Sequence, residues 1–142
     1  LEGKNHLPPI LKILWQDSNF REKTIKSILK GLIKRPTSFE KIMINLIQKY
    51  NLPYKYTGDG SFLIGYKNPD FINVNGEKIC IEVYYNYFKI RDYGSIERYE
   101  KQRSEHFAEY GWKTIFINEN DLKENIILKK IGGAIWISGV LF

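Results

Sequence analysis

Two carboxylates, Asp70 and Glu82, stand twelve positions apart in an apolar stretch, residues 67–87, that reads KNPDFINVNGEKICIEVYYNY. A charge among Ile and Val is costly to bury unless something positive pairs with it. A divalent cation is one such partner, and two converging carboxylates are a usual way to hold Mg²⁺. Convergence requires both side chains on one face. Residues 69–74 and 78–83 flank Asn75-Gly76, the strongest short-range signal for a β-hairpin. In the second run Ile79, Ile81 and Val83 alternate with Cys80, Glu82 and Tyr84. A plain two-residue turn would pair position 70 with 81 and place the acids on opposite faces. A three-residue loop with Gly76 left-handed, a G1 bulge or an equivalent irregularity, shifts the pairing by one. That irregularity is predicted here: Asp70 then lies opposite Cys80 and diagonal to Glu82, roughly 7–8 Å away on the same face. The plainer alternative has Asp70 capping a turn and Glu82 in an edge-strand salt bridge.

The order Asn68-Pro69-Asp70-Phe71, a turn, then Ile79-Cys80-Ile81-Glu82-Val83 resembles the metal-binding core of the PD-(D/E)XK nuclease superfamily. It is most similar to the very-short-patch-repair-like branch, which includes some phage and intron homing endonucleases. The likeness runs from about Thr37 to Leu122. It implies a restriction-endonuclease-like α/β fold, αβββαβ in order, with a mixed central sheet flanked by helices. It implies a Mg²⁺-dependent DNA endonuclease in which Asp70, Glu82 and the Val83 carbonyl bind the metal, with Mn²⁺ as a possible substitute. An acid on the preceding helix, here Glu40, joins that core, and Glu100 and Arg103 match an acidic-basic pair on a later helix. Tyr84 stands where the superfamily usually carries a Lys, and Tyr84-Tyr85 and Tyr87 where close relatives often carry Asp-Gly and then His. The general base therefore stays open between Glu40 and Lys89, because Tyr is a poor base with its pKa of about 10. The tyrosines could instead stack on an unpaired or distorted base. The rival from another class is a non-catalytic DNA-binding domain that kept the fold; a junction- or RNA-cleaving enzyme would share the core.

The composition suits these partners. The formal charge is +6, and residues 1–36 carry eight basic groups against three acidic ones, leaving 14 against 13 elsewhere. An excess so placed is expected of an arm that tracks phosphates, with residues 1–36 as the basic arm and 37–142 as the catalytic domain. Lys23, Lys26, Lys30, Lys34 and Arg35 are its candidate DNA contacts, joined by Lys89, Arg91, Arg98 and Lys101 from the domain. A membrane partner is not expected, since the arm lacks an inserting apolar face and no run approaches the ~20 residues of a span. One cysteine permits no internal disulfide, so Cys80 reads as a small buried residue of a reduced, cytoplasmic protein, nucleoid-associated if prokaryotic or phage. The start, Leu1-Glu2-Gly3, has no Met and no signal peptide, which reads as a cloning remnant or a piece of a larger protein.

The elements that position these groups follow the chain. Leu7-Pro8-Pro9 is extended, and residues 10–15 form a short helix or adhere through Trp15. From Asp17 or Ser18 a helix carries Ile25, Ile28, Leu29 and Leu32 on one stripe and lysines on the other, and Gly31 weakens it. That helix either packs on the domain or lies along a DNA groove. Thr37 and Glu40 spell a capping box ahead of Phe39, Ile42, Met43, Leu46, Ile47 and Tyr50, so Glu40 has a capping role as well as a functional one. Residues 54–56 and 61–66 read as strands around the turn former Asp59. A helix over 96–110 presents Arg98, Lys101 and Arg103 for phosphate contact, though Glu100 and Arg103 also suit a helix ion pair. His106 reads as a surface residue of that helix. A strand over 112–117, a turn at 118–121 and a helix over 122–131 follow. The apolar tail 134–142 is an edge strand or a homodimer contact. No zinc spacing, Walker loop, Rossmann glycine pattern or nucleophile elbow occurs.

Overall fold

The computed structural model describes residues 16–31, 35–132, 136–137 and 140–141, with the side chains of 16–25 and 35–132. The expectations for residues 7–15, Leu32 and Lys34, and for the side chains of Lys26, Ile28, Leu29, Lys30 and Trp136, lie outside the described residues. Helix α1, Ser18–Gly31, starts on Asp17, whose Oδ1 accepts the Phe20 N–H at 3.0 Å. Its Arg21 lies over the Tyr66 ring, 5.2 Å from the centroid, so α1 meets the segment that precedes Asn68 there.

Helix α2, Ser38–Tyr50, begins as its capping box predicts: Thr37 Oγ1 accepts the Glu40 N–H and Glu40 Oε1 accepts the Thr37 N–H. Phe39, Met43 and Leu46 are buried at helical spacing. There follow β1 (Tyr54–Tyr56), β2 (Phe71–Asn73), β3 (Ile79–Tyr84), α3 (Asn86–Tyr93), α4 (Ile96–Ala108), β4 (Lys113–Asn118) and α5 (Glu124–Gly132). The sheet order is β1-β2-β3-β4, antiparallel except for the parallel β3–β4 pair, whose crossover passes through α3 and α4. This is a mixed α/β architecture with a four-stranded sheet between helices. Among the described residues no helix is long and apolar enough to cross a membrane.

Each face of the sheet has its own core. Phe71, Ile81 and Ile117 meet Phe39, Met43 and Leu46 of α2 and Ile127 and Leu128 of α5. On the other face Ile72 and Cys80 meet Phe107 of α4 and Ile64. Each such side chain contributes about 1.5–3 kcal/mol by leaving water. Cys80 is fully buried, and burial pushes its thiol up to about 12.

Two expectations about the fold need correction, the hairpin register and the strand over 61–66. The hairpin pairs Phe71 with Ile81 and Ile72 with Cys80, so the register moves by one residue in the direction opposite to the predicted bulge. Asn73 causes this: its Oδ1 accepts the N–H groups of Asn75 and Glu77 and widens the loop, with Gly76 at φ +86°. The expected strand over 61–66 is absent. Gly65, at φ +64° with the Tyr110 ring against it, folds the chain into a tight turn bridged by Ile64 and Lys67. Leu63 and Ile64 are apolar because they are buried, not because they lie in a sheet. Residues 86–93, given no element by the sequence, form helix α3. Within the tail the described residues, β5 (Trp136–Ile137) and β6 (Val140–Leu141), pair antiparallel with each other outside the four-stranded sheet.

Candidate functional site

The register places Asp70 directly across from Glu82, on the α4 face of the sheet. Three local devices fix Asp70. Pro69 and Thr57 hold the approach, with Thr57 Oγ1 donating to the Pro69 carbonyl and the Thr57 N–H to that of Asp70, both at 2.8 Å. Asn68 Nδ2 donates to the carbonyls of Thr57 and Phe62 at 2.6 and 2.8 Å, which ties the preceding turn to the strand. The carboxylate itself accepts the Val83 N–H on Oδ2 at 2.9 Å. A strand residue directs its N–H and C=O to the same edge, so the Val83 carbonyl faces the side on which Asp70 stands.

Glu82 is 2% exposed. Its Oε1 accepts from Arg103 Nε, and its Oε2 accepts the Asp70 N–H at 3.3 Å. The Glu82 carboxylate is near enough to act on the Asp70 carboxyl. Burial, then the Glu82 charge, holds the Asp70 carboxyl well above the usual carboxylate range. Arg103 also donates through Nη2 to the Asn68 carbonyl at 3.0 Å and rests 5.0 Å over the Phe107 ring. Burial acts to lower the Arg103 pKa, but the Glu82 carboxylate more than offsets it and the guanidinium is held above its ordinary value.

The other candidates fall around this pair. Glu40 stands on the opposite, α2 face, where Oε1 closes the capping box and accepts from Tyr56 Oη at 3.5 Å; its charge reaches Asp70 without touching it. Among the described residues no three His, Cys, Asp or Glu side chains come close enough to hold an ion together. Glu100 and Arg103 do not pair along the helix: Glu100 accepts from Tyr84 Oη at 2.5 Å while Arg103 turns to Glu82. Tyr84 is therefore a donor with its pKa raised, by burial first and the Glu100 contact next. Compared with protein-family models, curated proteins and solved structures, this chain matches none.

Helix α3, which follows β3 after Tyr85, carries an exposed aromatic and basic surface. Tyr87, Phe88 and Ile90 are 64%, 48% and 48% exposed. Lys89 lies 4.6 Å over the Tyr99 ring, and Arg91 pairs with Asp92 beneath Phe88. Arg98 and Lys101 are exposed on α4, and Lys23 and Arg35 on the arm side. Several residues that position the site escape single-sequence reading. Glu119 accepts the Asn86 N–H at 2.9 Å and anchors the start of α3 from the end of β4. Lys67 is half-buried, and burial, then Arg103, lowers its pKa against the pull of Glu82. His106 is buried, not at the surface; its Nε2 donates to the Ile64 carbonyl at 2.9 Å, and burial lowers its pKa.

Proposed function

We propose that this chain is a divalent-metal-dependent nuclease that hydrolyses DNA phosphodiesters. The observation that carries the reading is the direct opposition of Asp70 and Glu82 at the end of a hairpin, where Glu82 Oε2 also accepts the Asp70 N–H at 3.3 Å. Two hard carboxylate oxygens and a backbone carbonyl fit Mg²⁺, which completes its shell with water. Asp70, Glu82 and the Val83 carbonyl would hold the ion, Mg²⁺ or Mn²⁺, which supplies Lewis acidity to the phosphodiester and lowers the pKa of water. The Val83 N–H and the Thr57–Pro69 contact keep Asp70 aimed, so no reorganisation is needed at that residue. The α3 surface of Tyr87, Phe88 and Arg91, with Arg98 and Lys101, supplies stacking and phosphate contacts. Tyr84 does not take the Lys role: its hydroxyl is donated to Glu100.

A second reading has a specific observation behind it. With Glu40 capping α2 on the other face and Tyr84 committed to Glu100, the domain could bind nucleic acid without cutting it. Nicking of supercoiled plasmid under Mg²⁺ or Mn²⁺ titration separates the two. Wild type should nick, and Asp70→Ala should lose at least about a hundredfold in rate while binding DNA as well or better, since a carboxylate repels phosphate. Equal nicking by Asp70→Ala contradicts the assignment, and no nicking by wild type leaves the binding domain.

A further inference from the structure

We propose that Arg103 is the resident counter-ion of the acid pair and sets its metal affinity: a divalent ion enters only as the guanidinium leaves Glu82. This rests on the metal-binding reading above. A carboxylate as buried as Glu82 needs a countercharge, and among the described residues its only ion pair is with Arg103. The guanidinium and an ion on the two carboxylates would place three positive charges around two negative ones in a site with little water. The two cations are therefore antagonists, and binding of one must weaken the other by the same factor.

The contacts of Arg103 suit a group that can leave. Its side chain is 20% exposed, its second donor is held by one backbone carbonyl, and its flat face rests on Phe107. Two contacts that aim Asp70, the Val83 N–H on its Oδ2 and the Thr57 N–H on its carbonyl, do not involve Arg103, whereas the Asp70 amide bond to Glu82 and the Asn68 carbonyl do meet it. Departure of the guanidinium from Glu82 leaves the Val83 and Thr57 bonds to Asp70 in place. Lys67 already stands close enough to feel both Arg103 and Glu82, so a cation remains near the acids when the guanidinium leaves.

The test uses Mn²⁺ alone, without DNA, on the full chain. Free Mn²⁺ is read by electron paramagnetic resonance for wild type, Arg103→Met, which keeps the apolar stem on Phe107, and Arg103→Lys, which keeps the charge. Arg103→Met should bind Mn²⁺ about tenfold tighter or more, and Arg103→Lys should stay near wild type. Arg103→Met should also melt lower than wild type without metal, with the gap closing as Mn²⁺ is added. A wild type that binds Mn²⁺ and an Arg103→Met that binds it no tighter overturns the inference and leaves the metal reading intact. Absence of Mn²⁺ binding in all three overturns both. Should Arg103→Met fail to fold, wild type labelled with ¹⁵N-arginine decides. Mg²⁺ should move the Arg103 Nε–H resonance to the position of a solvated arginine and speed its exchange, whereas an unmoved, protected resonance in the Mg²⁺-bound protein contradicts the proposal.

Discussion

At Asp70 the raised pKa has a direct consequence for stability. The folded chain holds that proton more tightly than the unfolded chain does, because burial and then Glu82 disfavour the anion. The contribution is complete below the unfolded pKa of about 3.9 and is lost as pH rises through the folded value. Asp70→Asn mimics the protonated group and suffers no such loss. In EDTA its Tm should match wild type near pH 4 and exceed it at pH 8, by a few degrees for each ~1 kcal/mol. Melting curves over that range check this, and a wild type that is the more stable at pH 8 contradicts it. That Asp70 and Glu82 share a face was legible because strand side chains alternate, although the expected register set Asp70 opposite Cys80 rather than Glu82. The direction of the register shift was not legible, because it depends on Asn73 Oδ1 bonding two amides across the turn. Nor was the partner of Arg103, since a helix position names a face but not which carboxylate on the sheet lies opposite.

Among the elements, α2 announces itself through Thr37 and Glu40, whose reciprocal bonds are local. Helix α3 does not. Its first turn has no acid and its Tyr85 N-cap makes no side-chain bond. The Asn86 N–H is accepted instead by Glu119, 33 residues away, a contact that local pattern reading cannot find. The same gap hid the strand-to-turn change at 61–66, where Gly65 is required by the Tyr110 ring packed on it. Because Tyr87 and Phe88 are exposed, replacing both with Ala should leave the Tm within a degree or two of wild type. DNA affinity should fall about tenfold or more, as stacking contributes ~1–3 kcal/mol per base. Fluorescence anisotropy with a labelled duplex and with single-stranded DNA measures it; unchanged affinity for both removes α3 from the interface.

For the whole molecule, the mixed α/β class was readable from capping, turn and alternation signals, while helix α3, the turn at 61–66 and the sheet's layering needed contacts distant in sequence. The charge lies almost wholly in residues 1–36, and α1 meets Tyr66 through Arg21. If those lysines neutralise phosphates, the Lys23→Gln, Lys26→Gln, Lys30→Gln triple variant should lower affinity similarly for unrelated DNA sequences. It should also reduce the slope of log K against log salt by about 3. An unchanged slope places the arm elsewhere. The central claim, that Asp70 and Glu82 together hold one divalent ion, is tested most directly by anomalous diffraction from crystals of the full chain soaked in Mn²⁺. The account predicts a single strong peak in bonding contact with both carboxylates, with the Arg103 guanidinium moved off Glu82. At saturating Mn²⁺, no peak between the two acids and an Arg103 still bound to Glu82 would contradict it.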